Sequence, residues 1–227
     1  MSLSRHSHYP KSRKLRPKEL LKVYKALRRA FGYQHWWPGE TPFEVMIGAI
    51  LTQNTAWTNV ERAITNLKKN RCLTPIALKK IREKSLADYI RPAGYFNIKA
   101  NRIKHFIRFL YDEYKGNVKE MMRERGSVLR TKLLAVRGIG PETADSILLY
   151  AANKPFFVID AYTKRIFARH RLFSFNKPYE EWRALFEKTL PKRTFLYNDF
   201  HAQIVMTGKH YCRTRPDCTR CPLKSFL

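Results

Sequence analysis

The amino-acid sequence predicts an all-α protein of two helical lobes, and three observations carry that prediction. Apolar residues recur at the three- and four-residue spacing of one helical face through most of the chain. Helix-start signals punctuate it, a Thr or Asn followed directly by Pro or three residues later by Glu. Nothing alternates with period 2 long enough to make a convincing strand. The PFFVI run at 155–159 comes nearest and is too short and solitary to build a sheet.

In chain order, Leu20, Val23, Tyr24, Leu27 and Phe31 share one face of a helix that starts at Lys18 and that Gly32 can close. Thr41 stands as an N-cap with Pro42 at the first helical position and Glu44 three residues after the cap, so a second helix opens there. Thr58 with Glu61 repeats the pattern ahead of Val60, Ile64 and Leu67, and Thr74-Pro75 opens a helix through Ile81. Ser85 with Asp88 starts a short helix that Pro92 and Gly94 end. Asn97 precedes a long amphipathic helix with Ile98, Ile103, Phe106, Ile107, Leu110, Tyr111 and Tyr114 on its buried side, Gly116 follows it, and Asn117 with Glu120 caps the next. The stretch from Leu133 to His170 then reads as a short helix, a Gly138-Ile139-Gly140 turn, a second helix opening at Pro141, an apolar run, and Asp160 at the mouth of a third helix. The expected organisation is a flexible basic arm over 1–17, one lobe from 18–41 and 155–227 ending in a cysteine loop, and a second lobe over 42–154 carrying the hairpin, with DNA across the groove between them.

Charge points to the partner. Lys and Arg number 45 against 18 Asp and Glu, a net charge of +27, which suits a polyanion such as nucleic acid. No apolar run is long enough to span a bilayer, and the N-terminus lacks an apolar signal core. The expectation is a monomeric cytoplasmic protein, nucleoid-associated if prokaryotic.

A helix-hairpin-helix meets DNA through backbone amides directed outward at its turn, beside the positive end of the following helix, without reading a base. Gly138 and Gly140 occupy the turn positions, Arg137 is adjacent, and the second helix carries small residues, Thr143, Ala144 and Ser146. The GIGPETA segment and the Val-Ile-Asp ending at Asp160 resemble the DNA glycosylases of the endonuclease III superfamily. The further combination of Trp36-Trp37-Pro38, PFE at 42–44, LTQNT at 51–55 with Trp57 after it, and RPAGYFNIKANR at 91–102 is most similar to the 3-methyladenine DNA glycosylase III branch.

That resemblance implies a base-excision repair enzyme acting on double-stranded DNA with a damaged, alkylated base. It makes Asp160 the catalytic aspartate, Gln53 a wedge filling the gap left by an extruded base, and Trp36, Trp37 and Trp57 pocket aromatics. Lys209, on the C-terminal helix, becomes a DNA contact. Where bifunctional relatives carry lysine, two residues after Gly140, this chain has Glu142, so Schiff-base lyase chemistry is expected to be weak or absent. Two alternatives stand beside this reading: a mismatch thymine/uracil glycosylase with the same machinery, and a non-catalytic helix-hairpin-helix DNA-binding module in which Asp160 is only an N-cap.

Relatives of endonuclease III often end in four cysteines that hold a [4Fe–4S] cluster. Here Cys212, Cys218 and Cys221 fall at x5 and x2 spacing, and the fourth place is Leu227. A [4Fe–4S] cluster is expected, its fourth ligand unidentified or supplied by a non-cysteine group such as His210; a Cys3His zinc site, or no metal, are the alternatives. Cys72 stands alone and is read as a buried structural thiol.

Overall fold

The computed structural model describes residues 17–36 and 39–226. The arm expected over residues 1–17, apart from Pro17, lies outside the described residues, as do the pocket candidate Trp37 and Leu227. The described residues are helical with irregular connections, and no strand occurs among them. The PFFVI run forms an extended connection instead, with the Phe157 amide donating to Glu187 Oε1 at 2.9 Å and the Ile159 amide to the Tyr179 hydroxyl at 3.3 Å. The chain divides into two compact units, one of Met1–Trp36 with Phe156–Leu227 and one of Trp37–Pro155.

The Trp37–Pro155 unit is organised around α2 (Pro42–Leu51), whose residues from Phe43 onward are all buried. A helix apolar on every side must sit inside its domain. α2 packs against α3 (Trp57–Lys69), α6 (Phe96–Tyr114), α9 (Pro141–Ser146) and the π-helical Ile147–Ala151 that continues α9. α4 (Pro75–Lys80), α5 (Glu83–Tyr89), α7 (Val118–Arg123) and α8 (Gly126–Ala135) complete the unit around Met46, Leu67, Leu86, Phe106, Leu110, Leu129 and Leu148, none of them exposed.

The other unit joins α1 (Pro17–Phe31) to α10 (Ala161–Arg169), α11 (Tyr179–Thr189) and α12 (Thr194–His210). Its core is aromatic: Phe157 stacks on Phe186 with centroids 4.0 Å apart, and Phe167, Trp182 and Phe200 pack edge-on around them. α1 is tied to α12 at the fully buried Asp199, which accepts from the Tyr24 hydroxyl at 2.8 Å and from Arg28 at 2.5 Å.

The caps at Thr41, Thr74 and Asn117 form as expected, each side chain accepting a first-turn amide. Three other starts differ. α3 begins at Trp57 with Ala56 as an extended N-cap, one residue before Thr58; α5 begins at Glu83, ahead of Ser85; and α6 begins at Phe96 behind Tyr95, ahead of Asn97. In each the preceding backbone, rather than a polar side chain, starts the helix. Ile98 is 52% exposed, since helical spacing sets it off the face shared by Ile103, Phe106, Ile107 and Leu110, and Cys72 is only half-buried.

Candidate active site and DNA-binding hairpin

The hairpin joins α8 to α9 through Val136–Gly140, held by Ile139 N donating to Val136 O at 3.0 Å. Its two glycines have different reasons to be there. Gly138 has φ +90°, and a Cβ built on it would lie 2.4 Å from Arg102 Cγ, so both backbone and space demand glycine. Gly140 is extended at φ −90° and a Cβ there would meet nothing, so it is an N-cap facing open space rather than a forced turn residue. Arg137 is exposed beside it, and its carbonyl contacts His105 Nδ1 at 3.2 Å.

Two polar ties hold the hairpin in shape. Arg130 on α8 reaches the fully buried Asp145 on α9 with Nε to Oδ1 at 2.6 Å and Nη2 to Oδ2 at 3.2 Å, a two-point pairing that fixes both helices. Gln53, just beyond α2, donates to Gly138 O at 3.1 Å and to Thr143 Oγ1 at 2.8 Å, while Arg102 donates to its Oε1. The side chain expected to act as a wedge is thus held by the hairpin at its Nε2 and by Arg102 of α6 at its Oε1.

Glu142 is exposed in the first turn of α9, where a carboxylate complements the helix dipole. Trp57 is half-buried at the first position of α3. Sequence reasoning missed Tyr95, 68% exposed and in the left-handed conformation at φ 47° ahead of α6. A non-glycine residue there carries a cost of about 1–2 kcal/mol. Arg102, which supports the hairpin, lies two turns further along the same helix. An aromatic directly after Gly94 was the available signal.

In the other unit, Asp160 caps α10. Its Oδ1 accepts from the Thr163 amide at 2.7 Å and the Thr163 hydroxyl at 2.8 Å, while Oδ2 lies 3.6 Å from Nε2 of the buried His201 on α12. Capping and a chemical role are therefore compatible, because the cap engages one oxygen. Trp36 is half-buried with Lys209 Nζ 5.6 Å from its ring centroid, and Lys209 is otherwise exposed in the last turn of α12.

The cysteine loop follows α12 and is pinned to α10 by two arginines. Arg165 Nε donates to Cys212 O at 2.7 Å, and Arg169 Nη1 donates to Arg213 O at 2.6 Å and to Cys212 Sγ at 3.3 Å. Cys212 and Cys221 are buried, and burial pushes the Cys221 thiol above its ordinary value; Cys218 and His210 are exposed. Among the described residues no three His, Cys, Asp or Glu side chains are grouped so as to hold a metal ion. Three thiols, one of them exposed, do not complete the four-thiolate set of a [4Fe–4S] cluster.

An all-α scaffold, a hairpin stiffened by two polar ties, and an aspartate capping a helix beyond it define a helix-hairpin-helix protein with a candidate carboxylate catalyst. Residues 47–192 match the family described as HhH-GPD superfamily base excision DNA repair protein, and the chain belongs to that superfamily. It is accordingly a DNA glycosylase of base excision repair. A protein provisionally assigned as a DNA repair glycosylase in Methanocaldococcus jannaschii is 46% identical over 209 residues, spanning 91% of this chain and 94% of its own. Endonuclease III of Thermotoga maritima is 31% identical over 185 residues, 81% of each chain. Among solved structures, the 3-methyladenine DNA glycosylase of H. pylori bound to 1,N6-ethenoadenine superposes with a TM-score of 0.75 at 29% identity, covering 86% of this chain and 98% of that one. No helix is long and apolar enough to cross a membrane, among the described residues.

Proposed function

We propose that the protein is a monofunctional glycosylase, acting as a monomer on duplex DNA, that extrudes an alkylated, 3-methyladenine-like base and hydrolyses its N-glycosidic bond. The observation that carries this reading is the division at Asp160: Oδ1 is fixed by Thr163, and Oδ2 lies outside the cap. As the bond between C1′ and the base nitrogen breaks, its electron pair leaves with the base and the sugar becomes oxocarbenium-like. Asp160 stabilises that cation and orients water, whose oxygen bonds to C1′ and whose proton passes to solvent or base. The products are a free base and an abasic sugar in an intact strand.

Glu142 supports the absence of a lyase step, since a carboxylate cannot form a Schiff base with the sugar. Trp36, Trp37 and Trp57 are the proposed stacking residues. An N3-alkylated adenine is cationic and gains about 0.5–2 kcal/mol over an aromatic face. Lys209 lies at one face of Trp36, so the proposed stacking uses the other. On the DNA side, Arg137, Gly138, Gly140 and Lys209 contact phosphate. The role of Gln53 becomes support of the hairpin, with Tyr95 the exposed aromatic available to the duplex. No step is assigned to a metal at Cys212, Cys218 and Cys221.

Release of base from duplexes carrying 3-methyladenine, 7-methylguanine, uracil or a T·G mismatch tests the assignment. The 3-methyladenine duplex is expected to react fastest, with Asp160→Asn slowing release about a hundredfold or more. Unchanged release by that variant would remove Asp160 from the chemistry, and preference for uracil or T·G would move the specificity to mismatch repair.

A further inference from the structure

We propose that His201 is a positioning residue for Asp160: its neutral imidazole presents an Nε2 proton to Oδ2 and holds that oxygen for the sugar, and protonation of the ring withdraws the carboxylate from catalysis. This rests on the reading of Asp160 as the catalytic aspartate. The two residues are 41 positions apart and meet because α10 packs on α12.

Three observations converge. The Thr163 contacts hold Oδ1, so the direction of Oδ2 depends on what stands next to it, and His201 Nε2 stands 3.6 Å away. That separation is just beyond a hydrogen bond, and such catalytic contacts are often long in the free enzyme and shorten once substrate is bound. His201 is also a buried imidazole, on a helix that buries Phe200, Ala202 and Ile204 together with the polar Asp199 and Gln203. Burying a polar ring is costly, and its Nε2 is turned toward the Asp160 carboxylate.

Asp160 is a charged group that lies against His201 and acts on it; the elements packed around the ring carry other charged groups. From α1, Tyr24 and Arg28 are directed at Asp199. From α10, Arg165 donates to the Cys212 and Gly208 carbonyls, and Tyr162 packs at Gly208. From α11, Arg183 pairs with Glu180 and Glu187, and Glu187 also receives the Phe157 amide. α12 itself carries Asp199, Lys209 and His210. Burial pushes the His201 pKa below its ordinary value and Asp160 opposes that shift, so the ring is neutral at neutral pH and gains its proton on acidification. A protonated His201 places a positive charge against the carboxylate that must offset the cationic sugar, so the rate drops as the pH is lowered.

The test is single-turnover release of 3-methyladenine from duplex DNA from about pH 5 to about pH 8.5, across the ordinary imidazole range, with wild type, His201→Ala, His201→Gln and Asp160→Asn. His201→Ala is expected to lower the rate about tenfold or more with duplex affinity unchanged. His201→Gln places an amide N–H near the Nε2 position and cannot titrate. It is expected to recover most of the neutral-pH rate and to lack the fall that wild type shows on the acid side of the ordinary imidazole value. Should His201→Ala fail to fold, His201→Gln decides alone: a wild-type acid limb in that variant overturns the proposal. Wild-type rate and pH profile in His201→Ala, with Asp160→Asn inactive, would leave His201 a packing residue; an active Asp160→Asn would instead refute the underlying reading of the aspartate.

Discussion

Alanine at the two hairpin glycines should give opposite results, although the Gly-Ile-Gly sequence is symmetric. At Gly138 an alanine must hold φ near +90°, which costs about 1–2 kcal/mol for an L-residue. Its Cβ would also fall 2.4 Å from Arg102 Cγ, forcing that side chain away from Gln53. Loss of that hydrogen bond adds about 1–2 kcal/mol, so Gly138→Ala should destabilise the Trp37–Pro155 unit by about 2–4 kcal/mol. At Gly140 the backbone is already extended and the space is open. The lower chain entropy of alanine in the unfolded state, about 0.4–1 kcal/mol, is offset by its poorer N-cap propensity, leaving stability within about 0.5 kcal/mol of wild type. Urea unfolding followed by circular dichroism measures the stabilities, and titration of an undamaged duplex at fixed salt measures affinity. Gly140→Ala should weaken that affinity severalfold while folding normally, because its methyl sits on the open face before α9. Equal destabilisation by the two variants would refute the asymmetry derived for this turn.

Arg130→Met removes the ion-pair partner of the buried Asp145 and should cost about 3–5 kcal/mol, whereas Arg130→Met with Asp145→Leu should recover most of that loss; urea midpoints of the single and double variants check it. Lys99, buried and donating to Ala93 O at 2.7 Å, has its pKa lowered to about 8 chiefly by burial and secondarily by Arg102. The folded state therefore holds fewer protons than the unfolded chain above that pH, so this group makes stability rise between about pH 8 and pH 10. Urea midpoints across that interval should climb in wild type and lose that component in Lys99→Met. At higher pH the raised pKa values of Tyr24 and Tyr197, both about 12, act in the opposite sense.

What was legible in the sequence followed from local chemistry. A threonine directly before a proline is a local helix-start signal, and Thr41 and Thr74 cap helices here. The apolar face of α6 was legible because a 19-residue helix repeats its pattern often enough to be read. Asp160 was visible as a helix start and by its motif. The starts at Trp57, Glu83 and Phe96 were not, because Ala56, Arg82 and Tyr95 begin those helices without a side-chain cap bond. The π-helical Ile147–Ala151 has no local sequence signature, and its residues are as apolar as those of an ordinary buried turn. Gln53 was recognised, but its hydrogen bonds to Gly138 and Thr143 span 85 and 90 residues, a separation that periodicity cannot read. The same applies to His201, which looks like any other helical histidine until α12 is packed on α10.

The proposed hydrolysis by Asp160 proceeds without a covalent step, with Glu142 in the place where a Schiff-base lysine would stand. Borohydride reduction during turnover on a 3-methyladenine duplex examines this directly. The expected result is free base, an uncleaved abasic strand and no protein–DNA adduct; a covalent adduct in good yield would contradict it.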